Sequence, residues 1–240
     1  MDPASAPESG PPGNRELVPE SWAQAIRGLD IYRQALLLIL ITAIGGTLIA
    51  LFIMFSRGPA EIMTVLRFLV FTNIIVVLLA ARMIGGLWRF YQLPAETGAR
   101  DMTKVALFFS ALGLLGQGTE LYLLASAVFG AGSTDEVEQL AGGTPFTILA
   151  RLGMVVGFIC LVVALRKVAL YLRAGDVIEQ FKAFMVIVSI AVALMVVGAV
   201  SGSEAIRGVC GVAVLALAIV ALKRFLGILK SLTQAIKQQT

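Results

Sequence analysis

The stretch ALLLILITAIGGTLIALFIMFS, residues 35 to 56, contains no charged side chain. A helix needs about 20 mostly apolar residues to cross roughly 30 Å of hydrocarbon, and helices in soluble cores are rarely apolar for that length. This stretch therefore predicts a helix that crosses a membrane.

The rest of the chain has the same character. Of the 240 residues 58% are apolar and 14% are charged, against about 45–50% and about 25% in an ordinary soluble domain. These values predict an all-α polytopic membrane protein. We expect six transmembrane helices, at residues 35–56, 62–83, 105–129, 146–165, 183–202 and 207–222.

Short connections between several spans predict that neighbouring helices form three antiparallel hairpins. Lys and Arg accumulate on the cytoplasmic side of short loops. Of the 19 basic residues, only Arg57, Arg67, Arg151 and Arg207 fall outside or in the outer half when the N-terminus is inside. We therefore expect both termini in the cytoplasm, and the short loops and uncleaved first span favour a bacterial plasma membrane.

The segments outside the spans differ in composition. Residues 1–21 are proline-rich with few large apolar side chains, which predicts a disordered tail. Residues 22–34 are expected to form an interfacial amphipathic segment. The transmembrane domain then covers 35–230, and 231–240 is expected to be a polar cytoplasmic tail.

The second, fourth and sixth spans end in related sequences, AARMIGGLWR from Ala80, ALRKVALYLR from Ala164 and ALKRFLGILK from Ala221. In each, two basic residues are seven positions apart, so they lie on one face of a helix. The pattern is typical of an internal duplication. It can equally arise without duplication, because basic residues collect on the inner side of the membrane and recur at helical spacing. The residues predicted to contact anionic inner-leaflet lipids or a cytoplasmic partner are Arg82, Trp88, Arg89, Arg166, Arg173, Lys223 and Lys230.

A carboxylate interrupts the third apolar span. Glu120 lies roughly 13 Å from the outer boundary at about 1.5 Å per residue. An unpaired charge at mid-membrane costs about 2.5–3.5 kcal/mol on insertion scales, so a partner is expected. We predict an ion pair with Arg151, with Arg67 at similar depth and Gln117, Thr119 and Asn73 as hydrogen-bond partners; the alternative is a proton-binding carboxylate in a wet cavity.

Small residues surround that position. Gly113 and Gly116 narrow the third span, and Gly153 and Gly157 form G-x-x-x-G on the fourth. Glycine permits two membrane helices to approach closely. We expect these four residues to mark helix-packing contacts.

The sequence lacks the residues and motifs that are typical of several functional classes. There is no histidine, and we find no phosphate-binding loop, dinucleotide fingerprint, hydrolase elbow or paired cysteine ligands. We therefore expect no enzyme activity, no cofactor and no metal. Basic residues are spread around the spans rather than in one patch, so nucleic acid is not an expected partner.

Two functional hypotheses remain. The first is a non-enzymatic membrane protein that acts in assembly or scaffolding, as a homo-oligomer or with other membrane subunits, and that uses its basic helix ends for docking. The second is a small proton- or ion-coupled transporter or channel that uses Glu120.

Overall fold

The computed structural model describes residues 19–57, 62–130, 145–201 and 203–239. The prediction of disorder for the N-terminal tail lies outside the described residues up to position 18. Within the described residues the chain is almost entirely helical and contains no strand. The predicted all-α class is therefore confirmed.

Six α-helices follow one another in the part of the chain that the structure describes. They are α1 (Pro19–Arg57), α2 (Ile62–Phe90), α3 (Arg100–Phe129), α4 (Pro145–Tyr171), α5 (Gly175–Val200) and α6 (Glu204–Gln239). A short 3₁₀ turn, Ala95–Thr97, lies between α2 and α3. All six are long and apolar enough to cross a membrane, as the sequence predicted.

Two helices are much longer than a bilayer requires. At about 1.5 Å per residue, the 39 residues of α1 extend ~58 Å, nearly twice the ~30 Å hydrocarbon thickness. The 36 residues of α6 extend ~54 Å. Both helices therefore continue well past any apolar layer that they cross.

The extra length of α1 changes the interpretation of the N-terminal segments. The helix already begins at Pro19, so the last residues assigned to the tail are helical. Residues 22–34, which were expected to form an interfacial amphipathic segment, continue without a break into the first span. Their apolar side chains at helical spacing, Trp22, Leu29 and Tyr32, are buried against other helices.

The C-terminal segment differs from the prediction in the same way. Residues 231–239 continue α6 instead of forming a polar tail. Leu232, Thr233 and Ile236 are buried, and the Thr233 hydroxyl donates to the Leu229 carbonyl oxygen at 2.8 Å. A few apolar residues on one helix face are sufficient to bury a segment whose composition is mainly polar.

Most of the buried side chains belong to one cluster, which we call the core end. It contains the beginning of α1, the end of α2, the facing ends of α4 and α5, and the end of α6. Its largest fully buried members are Trp22, Phe90, Phe181, Phe225, Leu29, Leu93, Leu161, Leu165, Ile228, Leu229, Leu232 and Ile236.

The opposite end of the helices is far less buried. Phe55 is 88% exposed and Val200 is 81% exposed. Lipid tails are as apolar as leucine, so helices surrounded by lipid gain little from burying such residues. In water the same surface would be strongly driven to associate. The uneven burial is consistent with a bundle whose opposite end is surrounded mainly by lipid.

Helices pack mainly in the pairs α1 with α2, α3 with α4, and α5 with α6. Backbones meet most closely in the first pair, where Gly28 and Gly86 face each other: a Cβ on Gly28 would lie 2.6 Å from the Gly86 oxygen. In the third pair, Phe184 and Phe225 pack at 5.6 Å between ring centroids. Gly28 and Gly86 were not among the four glycines predicted to mark helix-packing contacts.

The glycine contact between α1 and α2 gives a prediction with an adjacent control. A Cβ on Gly86 would lie 2.8 Å from the Gly28 oxygen and 3.0 Å from the Tyr32 nitrogen. Such overpacking costs about 1–3 kcal/mol. We expect Gly86→Ala to lower the Tm of the purified protein in detergent.

Gly85→Ala is the matched control, because a Cβ there meets no atom within 4 Å. Alanine favours a helix over glycine by about 1 kcal/mol. The Tm of this variant should therefore be unchanged or higher. Equal losses of stability in the two variants would contradict the close contact.

Candidate functional site

The predicted polar site lies where α3 crosses α4. Gly113 is buried against Met154, and a Cβ on Gly116 would collide with Ala150. Glu120 is one helical turn beyond Gly116, and Arg151 follows Ala150 directly. Close approach at the two glycines therefore brings the carboxylate and the guanidinium within reach of each other.

Glu120 and Arg151 form a salt bridge, with 2.7 Å between Oε1 and Nη2. No N–H of the guanidinium is aligned with Oε1, so the contact is an ion pair without a directed hydrogen bond. The Glu120 side chain is 32% exposed and that of Arg151 is 63% exposed. The long arginine side chain can thus neutralise a half-buried carboxylate while its head extends towards the protein surface.

The other polar residues predicted around Glu120 have different partners. Thr119 donates to the carbonyl oxygen of Leu115 in its own helix at 2.9 Å. Gln117 Nε2 contacts Met154 Sδ at 3.4 Å, and its Oε1 is buried without a hydrogen-bond partner. Thr119 therefore bonds within its own helix and not to the carboxylate, because a threonine inside a helix readily bonds to the preceding turn.

Arg67 is also separate from this group. Its guanidinium carbon lies 5.9 Å from the centre of the Phe129 ring, at the far end of α3. A cation over an aromatic face is stabilised by the ring quadrupole. Similar depth along the helices did not place Arg67 beside Glu120.

Two cavities border this group. The polar cavity, of about 180 Å³, lies between α2 and α3 and is lined by Asn73, Gln117 and Glu120 with four apolar residues. The apolar cavity, of about 210 Å³, lies among α1, α2, α3 and α4. Both are bordered by Val76 and Gln117. The structure thus brings Asn73, Gln117 and Glu120 to one cavity, although no hydrogen bond joins them in the described chain.

Sequence reasoning missed the apolar cavity and its polar members. Ser110 and Tyr32 line it together with Met154. Ser110 precedes Gln117 by seven residues, so the two share one face of α3. That spacing was a usable signal for α3, whereas the participation of α1 and α4 depends on tertiary packing.

The glycines predicted on α4 are buried as well. Gly157 approaches the backbone of α3, with an added Cβ 3.2 Å from the Ala106 oxygen and from the Ser110 nitrogen. Gly153 makes looser contacts with Phe109 and Leu112. The α3–α4 interface is thus tightest at Gly113, Gly116 and Gly157.

The predicted basic contact residues are all on the surface. Arg82, Arg89, Arg166, Arg173, Lys223 and Lys230 are exposed, and Trp88 is 58% exposed. Arg82 donates to Gln34 Oε1 at 3.5 Å. Arg173, in the turn after α4, has φ +52°, which is in the left-handed region that non-glycine residues seldom adopt.

The connection between α2 and α3 is attached to α4 beside these residues. Lys167 Nζ donates to the Gly98 carbonyl oxygen at 3.0 Å, and the Tyr171 hydroxyl donates to Glu96 Oε2 at 3.4 Å. Tyr171 also stacks on Trp22, with 6.2 Å between ring centroids. The polar surface of the core end therefore has a defined geometry.

No metal-binding cluster of three or more His, Cys, Asp or Glu side chains occurs in the parts of the chain that the structure describes. Comparison with protein-family models, with curated proteins and with solved structures gave no match. Functional arguments for this chain therefore depend on its own geometry.

The ion pair predicts coupled effects of substitution. Glu120→Gln and Arg151→Gln each leave one unpaired charge, which costs up to about 2.5–3.5 kcal/mol at mid-membrane. We expect both to lower the yield of folded protein in membranes and the Tm in detergent. The double variant should lose less than the two single losses combined.

Arg166→Gln is the control, since Arg166 is an exposed arginine on the same helix. It should leave the yield and Tm close to those of the unsubstituted protein. Additive losses in the double variant would mean that the 2.7 Å contact contributes no stability.

Proposed function

We propose that this chain is a non-enzymatic multi-pass membrane protein that acts in assembly or scaffolding. In this proposal three antiparallel hairpins cross a plasma membrane, and both termini are cytoplasmic. The observation that supports it best is the core end, where packed helix ends project beyond a bilayer's thickness and carry exposed basic residues.

The distribution of charge supports a cytoplasmic core end. The basic residues of the three related helix ends lie within or next to segments that contribute to this core. Cationic loops are retained on the side where synthesis occurs, because their transfer across the membrane is disfavoured. The sparsely buried opposite end then faces the lipid and the outer boundary.

Rigidity supports docking rather than catalysis. A surface that is already ordered loses little conformational entropy when a partner binds. Trp22 and Tyr171 hold the start of α1 against the end of α4, while Lys167 holds the connection between α2 and α3 through Gly98. Exposed basic side chains on this support are suited to anionic lipid headgroups, each contributing about 1 kcal/mol.

A partner protein or a second copy of the chain would use the same surface. Mixed basic and aromatic residues are common at protein interfaces, and Trp88 with Arg89 offers such a combination. The exposed apolar faces in the spans also permit lateral packing with membrane subunits or with other copies.

Removal of two exposed basic residues from α6 tests the docking role. We expect the double variant Lys223→Gln with Lys230→Gln to lose cross-linked complexes in native membranes by severalfold, because both ammonium groups are exposed on the core end of α6. The readout is the size distribution after mild detergent extraction and chemical cross-linking. Folding is followed by the Tm.

Lys182→Gln is the control, because Lys182 Nζ is already paired with Glu179 at 2.6 Å. Its complexes should match those of the unsubstituted protein. Recovery of monomers alone from native membranes of the unsubstituted chain would contradict the assembly role.

A proton- or ion-coupled transporter or channel is the second candidate. The observation that favours it is the polar cavity beside Glu120, with Asn73 and Gln117 on its wall. Transport requires Glu120→Gln to abolish pH-dependent flux in liposomes while the yield and Tm stay unchanged. Loss of yield in both ion-pair variants without any flux in the parent supports assembly instead.

A further inference from the structure

We propose that the polar and apolar cavities form one elongated site for a membrane-soluble amphiphile with an apolar chain and a neutral hydroxyl head. The chain lies among α1, α2, α3 and α4, and the head lies between α2 and α3 next to Gln117. This proposal does not depend on the docking role of the core end.

Continuity of the two cavities is the first support. Val76 on α2 and Gln117 on α3 border both of them. Along α3 the lining runs from Ser110 to Leu124. At about 1.5 Å per residue this distance is ~21 Å, which favours an extended chain over a compact ligand.

The apolar cavity suits a hydrocarbon chain. Its lining includes Leu36, Ile39, Leu114, Met154, Phe158 and Leu161. Its volume of about 210 Å³ exceeds that of engineered apolar cavities of roughly 150 Å³, which exclude water and bind small apolar molecules. In a membrane, the surrounding lipid phase supplies such chains directly.

The amide of Gln117 gives the site its polar specificity. Its oxygen is buried without a donor, and its nitrogen has only the Met154 sulfur at 3.4 Å. Sulfur is a weak acceptor, so both halves of the amide lack a strong partner. A hydroxyl both donates and accepts, so it can satisfy this amide after rotation about the last side-chain bond.

Charge balance favours a neutral head over an ammonium group. Glu120 is already paired with Arg151 at 2.7 Å, so the polar cavity contains no uncompensated anion. Asn73 adds a neutral amide to the opposite wall. A pure hydrocarbon would leave the Gln117 amide without hydrogen-bond partners, which is unfavourable for a buried polar group.

Photolabelling of the full chain in lipid nanodiscs tests the proposal. The probe is dodecanol with a diazirine in its chain, and the comparison probe is its methyl ether, which cannot donate. We expect saturable labelling of the α4 peptide that contains Met154, Phe158 and Leu161 by the alcohol. The ether should label that peptide roughly threefold to tenfold less, as expected for one lost hydrogen bond.

Gln117→Leu should reduce labelling by the alcohol to the level of the ether. Thr119→Val is the matched control, because Thr119 bonds to its own helix and lines neither cavity. Ala80→Leu, which adds volume at the wall of the apolar cavity, should reduce labelling by both probes. This variant also tests the site if Gln117→Leu fails to fold.

Competition identifies the source of the hydroxyl. Unlabelled dodecanol and diacylglycerol carry the same head chemistry, and the one that competes at lower concentration is assigned as the better occupant. The proposal would be overturned by labelling that does not saturate, or by equal labelling with the alcohol and the ether. It would also be overturned if neither Gln117→Leu nor Ala80→Leu changed the labelling. None of these results bears on the cross-linked complexes of the core end.

Discussion

Side-chain packing at the core end is the interaction on which the rest of the structure depends. Lipid supplies no hydrophobic force between helices, so the apolar spans alone give little reason for three helix pairs to stay together. Water supplies that force where helices leave the bilayer. In the core end Trp22, Phe181, Phe225 and Leu229 are fully buried, and they connect α1, α5 and α6 with the neighbouring pairs.

Within the apolar layer, the helices are held by shape and by a single ion pair among the described residues. Gly116 with Ala150 in the spans, like Gly28 with Gly86 at the core end, allows close helix approach, which increases dispersion contacts. The Glu120 salt bridge then fixes the α3–α4 register beside the cavities. The crossing of α3 and α4 therefore contributes to stability and also borders the proposed ligand site.

The number and class of the helices could be predicted, because each apolar run is long enough to define a span by itself. The helix ends could not be predicted, because residues 22–34 and 231–239 are polar on average. Only the helical spacing of apolar residues such as Leu29 and Leu232 indicates which face is buried.

Depth along the helices correctly indicated that Arg151 could reach Glu120, and the structure has that contact. Depth did not predict the partner of Arg67, because it does not specify on which face of the helix a side chain lies. The partners of Gln117 and Thr119 depend on side-chain rotamers, which no residue spacing specifies.

Hydrogen exchange in lipid nanodiscs tests the packed core end most directly, because it measures the opening of each helix segment. Amides of residues 22–34 and 223–236 should exchange as slowly as those of residues 153–165 in α4, although the first two segments lie outside the spans predicted from the sequence. Rapid exchange of both segments, with slow exchange confined to the apolar spans, would contradict this expectation.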